Sequence, residues 1–390
     1  MQRFRKIVFW LHLLSGVIAG MVILIMSATG VLLMYERQIL EWADRGYRSG
    51  PPTAGAAAGT EHLPVESLAA RALAARPGIQ PSSITLQSDP EAPAAIGLGR
   101  GRNLYLNPYT GEVLGEGAPR ARAFFRAVTD WHRWLGAGEE NRAAGKAVTG
   151  ACNLAFLFLV VSGPYLWLPK VWNRRQVRNV AWFRRGLAGK ARDFNWHNVI
   201  GVWTAVPLFL VVFTAATISY PWMGDFLYRL AGEEPPARSQ RPEGPRGGGE
   251  GAVSLEGLNG LWAVAERQVP GWRSLTARLP EGTEDAEGPV TFTIAAGHRG
   301  RPDLRSQLTL ERSGEIESWE PFASQTPGRR LRSWARWVHT GEAGGLLGQT
   351  LAGIASGGAA VLVWTGMALS WRRFILRQRA RRQVPLEENA

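Results

Sequence analysis

The sequence predicts a mainly α-helical membrane protein, in which four transmembrane helices form a bundle and two small α+β units lie outside the membrane. Three observations lead to this fold class. Four long blocks lack charged residues, the basic residues are concentrated between particular blocks, and a strand–turn–strand pattern occurs twice. The mean hydropathy of −0.11 hides these blocks, because polar segments separate them.

The four apolar blocks contain no Asp, Glu, Lys or Arg, and they cover residues 7–35, 147–169, 194–224 and 343–371. Each exceeds the roughly 18 residues that indicate a membrane-spanning helix. The first block follows a basic start, as a secretory signal does, but its apolar run is much longer than the roughly 7–15 residues of a signal core. We therefore predict an uncleaved anchor followed by three further spans.

The blocks divide the chain into eight segments. These are a first transmembrane helix (1–36), a first external unit (37–126), an approach with the second helix (127–170), a basic loop (171–193), the third helix (194–224), a second external unit (225–328) with predicted disorder at 233–251, an approach with the fourth helix (329–372), and a tail (373–390).

The basic residues predict the orientation in the membrane. Seventeen Lys and Arg residues precede the first helix, fill the loop between the second and third, or follow the fourth, against three acidic residues. That is a net charge of +14, where the whole chain carries +13. Because short basic segments stay in the cytoplasm, we expect both termini there. The charge is then a topology signal, and no nucleic-acid motif is present.

The two external segments share one order of predicted elements. The first has a helix at 63–76 and strands at 84–86, 94–98, 103–107 and 112–114, and the second has a helix at 255–269 and strands at 290–295, 306–310 and 315–318. The sequences NLYLNPYTGEVLG and QLTLERSGEIES each predict a strand, a turn and a strand. We interpret this as an internal duplication. Residues 50–60 form an Ala/Gly/Pro linker for which we predict mobility.

Histidines mark the spans. Four of the six histidines lie one to a span, with His12 and His197 at the starts of the first and third helices and His132 and His339 in the approaches to the second and fourth. The topology places them as two pairs at two depths, His12/His197 and His132/His339. Three of them begin a His-x-x-x-Gly pattern, whose glycines would open a gap between facing helices. Two facing imidazoles can supply both axial ligands of a b-type haem, so we predict two such haems.

The same histidines admit other interpretations. A lone histidine at a helix end is commonly an interfacial or capping residue. Zinc is disfavoured, because each pair offers two nitrogens and structural zinc takes four protein ligands. The single cysteine, Cys152, excludes an intramolecular disulfide, a Cys₄ iron–sulfur site and a Cys-x-x-Cys-His haem attachment.

Three segments carry a resemblance to a known family: WHRWLGAGEENRAAGKAVTGACNLAFLFLVVSGPYLWLPKVW, DFNWHNVIGVWTAVPLFLVVFTAATIS and VHTGEAGGLLGQTLAGIASGGAAVLVWTGMALSW. They resemble the PepSY-associated transmembrane helix family of bacteria, and the external units resemble PepSY domains. The resemblance implies an inner-membrane ferric-siderophore reductase that holds b-type haems, with the four histidines as axial ligands. His339 departs from the glycine spacing of the other three.

The function predicted on this basis is electron transfer across the inner membrane to a periplasmic ferric siderophore or other Fe(III) chelate, whose iron is released as Fe(II). No nicotinamide or flavin fingerprint occurs, so the expected partners are a separate electron donor (a quinol or a protein), the chelate and membrane lipid. Two alternatives stay open. One is a non-enzymatic module that binds a peptide or protease, and the other is siderophore or metal transport without reduction, although the spans lack the internal acidic residues typical of transporters.

Overall fold

The computed structural model describes residues 2–51, 61–77, 80–99, 102–168, 173–237, 254–280 and 288–382. The chain forms two compact units. The helical unit comprises residues 2–36, 124–168, 173–227 and 334–382, and the sheet unit comprises the described parts of 37–123 and 228–333. Most of the predicted linker at 50–60 and of the predicted disorder at 233–251 lies outside the described residues.

Helices make up most of the described chain. In chain order, the α-helices are α1 (Gln2–Leu33), α2 (Glu36–Ala43), α3 (Val65–Ala75), α4 (Pro119–Trp134), α5 (Arg142–Trp167), α6 (Arg174–Ala181), α7 (Gly189–Ser219), α8 (Pro221–Leu230), α9 (Leu258–Gln268), α10 (Pro327–His339) and α11 (Gly345–Arg382).

Within the described residues, four segments are long and apolar enough to cross a membrane, as the sequence predicts. They are Gln2–Leu33, Pro119–Trp167, Gly189–Ser219 and Glu342–Phe374. Large apolar side chains on these helices point away from the protein, and Ile18, Val206 and Leu347 are each more than 70% exposed. Such surfaces are unfavourable in water and suit contact with acyl chains. The protein is therefore a membrane protein.

The long helices pack as a ring in the order α1, α5, α7, α11, so that α1 lies opposite α7. Small residues bring neighbours close: a Cβ on Gly20 of α1 would lie 3.4 Å from Val363 of α11. Gly358 of α11 would place its Cβ 2.8 Å from Thr204 of α7. This close packing is typical of membrane helices, where dispersion contacts drive association.

Several helix ends differ from the prediction. The third span begins at Gly189 instead of residue 194, and it ends at Ser219 because Pro221 has no N–H to continue the ladder and starts α8. The fourth span continues as helix to Arg382, beyond the predicted end at 372. Both approaches are helical: α4 and α10 end at Trp134 and His339.

The sheet unit contains one antiparallel sheet of eight strands. They are β1 (Ser83–Gln87), β2 (Ala94–Gly97), β3 (Asn103–Leu106), β4 (Val113–Gly115), β5 (Ser274–Arg278), β6 (Val290–Ala295), β7 (Arg305–Leu310) and β8 (Ile316–Pro321). The spatial order is β4-β3-β2-β1-β5-β6-β7-β8.

The expectation of two separate small α+β units is thereby corrected, because β1 of the first segment pairs with β5 of the second. Thr85 lies opposite Thr276 at the centre of this pairing, and their hydroxyls are 2.9 Å apart. Strand β5 is absent from the elements predicted from sequence. Helices α3 and α9 pack on the apolar side of the sheet, where Leu275 and Phe292 are fully buried.

Candidate functional site

His12 and His197 lie near the same end of the helical unit, on the opposite helices α1 and α7. The Nδ1 atom of His12 is 2.8 Å from the Ser162 hydroxyl of α5. The Nδ1 atom of His197 is 3.0 Å from the Thr365 hydroxyl of α11. Each ring is therefore oriented by a helix adjacent to its own.

His132 and His339 lie at the ends of α4 and α10, and their ring centroids are 6.4 Å apart with the planes inclined by 47°. A histidine nitrogen binds a metal at about 2 Å and lies about 1 Å from its own ring centroid, so a metal between two opposed rings separates the centroids by about 6 Å. The observed separation therefore matches that of two axial ligands on one metal ion.

The Nδ1 atoms of this second pair also have partners. His132 Nδ1 is 2.9 Å from the Thr29 hydroxyl of α1, and His339 Nδ1 is 2.9 Å from the backbone carbonyl oxygen of Val211 in α7. A carbonyl oxygen only accepts hydrogen bonds, so Nδ1 of His339 carries the proton. Its Nε2 then keeps a free lone pair.

The two threonine partners lead to the same tautomer. Thr29 donates its hydroxyl hydrogen to the Ile25 carbonyl at 2.6 Å, and Thr365 donates to Val361 at 2.8 Å. Each hydroxyl has one hydrogen, so toward its imidazole it acts as acceptor and Nδ1–H donates. Three rings, those of His132, His197 and His339, therefore present an unprotonated Nε2, which is the form that binds metal. The Ser162 hydroxyl is nearer to His12 Nδ1, at 2.8 Å, than to the Leu159 carbonyl, at 3.4 Å.

Glycines beside these hydroxyls give the rings room. A Cβ on Gly366 would lie 3.3 Å from Cε1 of His197, and one on Gly30 would lie 3.4 Å from Cε1 of His132. A Cβ on Gly163 would lie 3.7 Å from Cε1 of His12. Three imidazoles thus contact a hydroxyl–glycine dipeptide of a neighbouring helix: Thr29-Gly30, Ser162-Gly163 and Thr365-Gly366.

The backbone after His132 turns sharply and holds the end of α4 against α5. Leu135 and Gly136 have φ of 57° and 71°, in the left-handed region that ends helices. The Thr149 hydroxyl of α5 donates to the Arg133 carbonyl at 2.9 Å, and Gly145 of α5 lies directly against the Trp134 carbonyl oxygen. These contacts fix where the His132 ring enters the bundle.

The corner after His339 is built in a similar way. Gly341 has φ of 71°, and the 3₁₀ turn Glu342–Gly344 leads into α11. Gly348 of α11 lies against the carbonyl oxygen of Gly341. Both corners therefore need a glycine in the first turns of the following long helix, because a side chain there would displace the backbone that carries the histidine.

The two pairs lie at different levels of the bundle. On α1, Thr29 contacts His132 and is 17 residues beyond His12, which is about 26 Å of helix. On α7, Val211 contacts His339 and is 14 residues beyond His197, or about 21 Å. A small apolar core within the bundle is formed by Val160, Leu208, Ala355 and Ala359.

The surroundings fit a ligand that brings its own donor atoms. Within the described residues, no group of three or more His, Cys, Asp or Glu side chains could hold a metal ion. Each pair offers two nitrogens, and a porphyrin supplies the other four ligands of a six-coordinate iron. All four histidine residues are intermediate in exposure. The donor set therefore fits haem at both levels.

Sequence reasoning missed Thr29, Ser162 and Thr365, although the recurring Ser/Thr-Gly dipeptide in three spans was a readable signal. It assigned the gap to the glycines four residues after the histidines. A Cβ on Gly16 would instead meet Leu159 at 4.0 Å, and one on Gly201 would meet Leu362 at 3.7 Å. Gly136 ends α4 with positive φ. The shared spacing therefore has two different structural roles.

Comparison with protein families gives one match. The model of the family described as PepSY-associated TM region matches residues 9–373, a range that includes all four histidines. No curated protein matches the chain.

Proposed function

The chain belongs to the PepSY-associated TM region family, and from this premise and the paired imidazoles we propose that it is a membrane oxidoreductase holding two b-type haems. It passes electrons across the bacterial inner membrane and reduces a periplasmic ferric siderophore or other Fe(III) chelate. One observation carries the proposal: the His132 and His339 rings are 6.4 Å apart, and each holds its Nδ1 hydrogen on a protein oxygen.

The chain's residues supply the geometry of the sites. His12 and His197 would hold one haem, and His132 and His339 would hold the other. The oxygen acceptors at Nδ1 aim each Nε2 and raise its basicity. The apolar helices exclude water and keep the surroundings at low dielectric. Haem supplies reversible one-electron chemistry at each level.

The redox balance needs a donor and an acceptor outside the chain. A membrane quinol releases two electrons and two protons on oxidation, which is enough to reduce two ferric ions to ferrous ions. Fe(II) has lower charge and is softer than Fe(III), so hard oxygen donors such as hydroxamates or catecholates hold it less tightly. Reduction therefore favours release of the iron from the chelate.

The proposal includes a topology and an origin for the chain. The protein is multi-pass, with both termini in the cytoplasm and the sheet unit in the periplasm, as the basic segments favour. Its two halves arise from an internal duplication. The matching element order supports this, as do the equal lengths of α3 and α9 (11 residues each) and the register shifts at Tyr105/Leu106 and Thr309/Leu310.

Haem quantitation tests the proposal directly. We expect two haems b per polypeptide in the purified protein, with a dithionite-reducible Soret band. His339→Ala should leave one haem, and His197→Ala should leave the other. His298→Ala is the matched control, since His298 is exposed in the sheet unit, and it should keep both. A purified wild-type protein without a reducible haem spectrum would refute the function.

The acceptor is tested by reoxidation. Protein reduced with one electron equivalent of dithionite per haem, half a mole per mole of haem, is mixed with a ferric hydroxamate in the presence of a colorimetric ferrous chelator. We expect the reduced haem bands to decay as Fe(II) appears in equal amount. If the haem bands stay reduced, the protein does not reduce the chelate, and a peptide-binding or transport role is favoured instead. A gallium(III) hydroxamate, which has the same charge and shape but is not readily reduced, is the control.

A further inference from the structure

The structure assigns Thr29, Ser162 and Thr365 as positioning residues that hold three of the four imidazoles in the Nδ1–H form and thereby set the reduction potential of the iron each ligand serves. The assignment rests on the proposed function and names residues that act through the ligands. Ser162 and Thr365 contact the histidines of the His12/His197 pair, whereas Thr29 contacts a histidine of the His132/His339 pair.

The hydrogen-bond geometry separates this role from ordinary helix packing. Membrane helices often bury a Thr or Ser hydroxyl by donating it to the carbonyl one turn back. Thr204 does this with Ile200 at 2.7 Å, and Ser370 does it with Gly366 at 2.8 Å. Thr29 and Thr365 make the same bond and, in addition, accept from an imidazole. The extra bond is therefore a property of these positions.

His339 differs from the other three histidines because its Nδ1 partner is not a side-chain hydroxyl. Its acceptor is the backbone oxygen of Val211, which no side-chain substitution removes. Thr214 also approaches this oxygen, but its hydroxyl is nearer to the Leu210 carbonyl, at 2.5 Å against 3.0 Å. A carbonyl has two lone pairs, so the Val211 oxygen can accept from both its own helix and the imidazole. One pair therefore depends on two side-chain hydroxyls and the other on one.

Removing an acceptor has a definite electronic sign. A Nδ1–H that donates to oxygen makes its imidazole a stronger electron donor at Nε2, which stabilises Fe(III) relative to Fe(II). Replacing the hydroxyl with a methyl group, as in Thr→Val, or with hydrogen, as in Ser→Ala, removes this effect, so the potential of that iron rises. The iron at the other level has different ligands, and its potential stays where it was.

Spectroelectrochemical titration of the full-length protein in detergent tests the assignment. The variants are Thr29→Val, Ser162→Ala and Thr365→Val. His339→Ala and His197→Ala, each leaving one haem, assign the two transitions. We expect Ser162→Ala and Thr365→Val to raise only the midpoint potential of the His12/His197 site, with an additive effect in the double variant. Thr29→Val should raise only that of the His132/His339 site.

Controls distinguish positioning from structure. Thr204→Val and Ser370→Ala remove hydroxyls with the same helix bond and no imidazole, and should move neither potential. Thr29→Ser, Thr365→Ser and Ser162→Thr keep the acceptor and should restore the wild-type values, even where the apolar variant binds less haem. Unchanged potentials in all three apolar variants would overturn the assignment while leaving two bound haems, and hence the proposed function, intact. A wild-type protein that binds no haem would overturn both.

Discussion

At the scale of single residues, the site depends on small groups next to large ones. Each of three imidazoles contacts a hydroxyl and a glycine from one dipeptide, so that one residue orients the ring and the next leaves space for it. Within a close-packed bundle, a methyl group at the glycine has only tenths of an ångström available before the ring must move.

The clearance at the glycines predicts a graded response. Gly366→Ala places Cβ 3.3 Å from the His197 ring and should displace it, which weakens the bond to Thr365 and lowers haem occupancy at the His12/His197 site. Gly163→Ala leaves 3.7 Å to the His12 ring, an ordinary contact, and should be tolerated. Haem content and the visible spectrum of the two variants check this. Equal effects of both substitutions would contradict it.

Asp193 predicts a measurable link between α7 and α11. Its carboxylate is 3% exposed and lies 2.6 Å from Arg372 of α11 and 3.0 Å from the adjacent Arg192. Asp193→Asn should cost about 1–3 kcal/mol of stability, because it removes charge-assisted hydrogen bonds, with the lower part of the range favoured by the partly exposed arginines.

A double-mutant cycle in thermal unfolding measures this link. Asp193→Asn with Arg372→Gln should be strongly non-additive, since Arg372 joins two helices. The comparison cycle with Arg192→Gln should show a smaller coupling energy, because the Arg192 contact is longer, at 3.0 Å against 2.6 Å, and its side chain is more exposed, at 47% against 37%. Additivity in both cycles would show that the ion pair does not couple the helices.

Much of the site could be predicted at this scale from the sequence, and the reason is chemical. Histidine is costly in a span, so four of them at matching depths indicate pairing from the sequence alone. The Nδ1 partners could not be predicted, since they depend on which face of a neighbouring helix meets the ring. Thr29, for example, acts on His132, more than a hundred residues away.

At the scale of elements, the backbone corners before the second and fourth spans are held by close contacts. The helix that carries each outer histidine stops in the left-handed region, and a glycine of the following helix lies on the corner's backbone. Replacing a glycine inside a helix with alanine ordinarily stabilises the helix. At Gly145 and Gly348 the neighbouring backbone leaves no room for a Cβ atom, so alanine is unfavourable there.

Gly145→Ala tests the first corner. Its Cβ would collide with the Trp134 carbonyl oxygen, and overpacking of this kind costs about 1–3 kcal/mol. We expect a lower thermal stability and a reduced haem content at the His132/His339 site. Gly138→Ala is the control, because a Cβ there meets no atom within 4 Å. A stable Gly145→Ala variant with two haems would show that the corner can relax.

The sheet was the element least accessible to sequence reasoning. Strands β6 and β7 alternate apolar and polar residues and were predicted, whereas β5 has only Leu275 and Ala277 on its buried side. Its pairing with β1 joins residues about 190 positions apart, for which local patterns carry no signal. The prediction of two separate units failed for this reason.

Leu275→Ala tests the importance of β5. Leu275 is fully buried at the centre of the sheet, and removing three carbons from such a site costs about 2–5 kcal/mol. Ile316→Ala is the control, since Ile316 lies on the edge strand β8 and is 49% exposed. We expect limited proteolysis to cleave the sheet unit of the Leu275→Ala variant much faster than that of the control. Similar rates would mean that β5 contributes little.

At the scale of the whole molecule, charge and geometry together predict a direction for the proposed electron transfer. The imidazole pairs lie about 21–26 Å apart along the helices, and the helix ends near the His12/His197 pair carry the basic segments. If those segments face the cytoplasm, the His132/His339 pair faces the periplasm. Electrons leaving the cytoplasmic side would then also move down the membrane potential, since the inside is negative.

Cysteine accessibility tests this orientation. Cys152 is the single native cysteine, so a Cys152→Ser background carries one introduced thiol at a time. Ser313→Cys changes an exposed residue in the turn between β7 and β8, and Arg174→Cys changes the exposed first residue of α6. In intact spheroplasts, a membrane-impermeant maleimide should label the Ser313→Cys variant at once and the Arg174→Cys variant only after permeabilisation. The reverse pattern would place the His132/His339 pair on the cytoplasmic side, and the chain could not then deliver electrons to a periplasmic chelate.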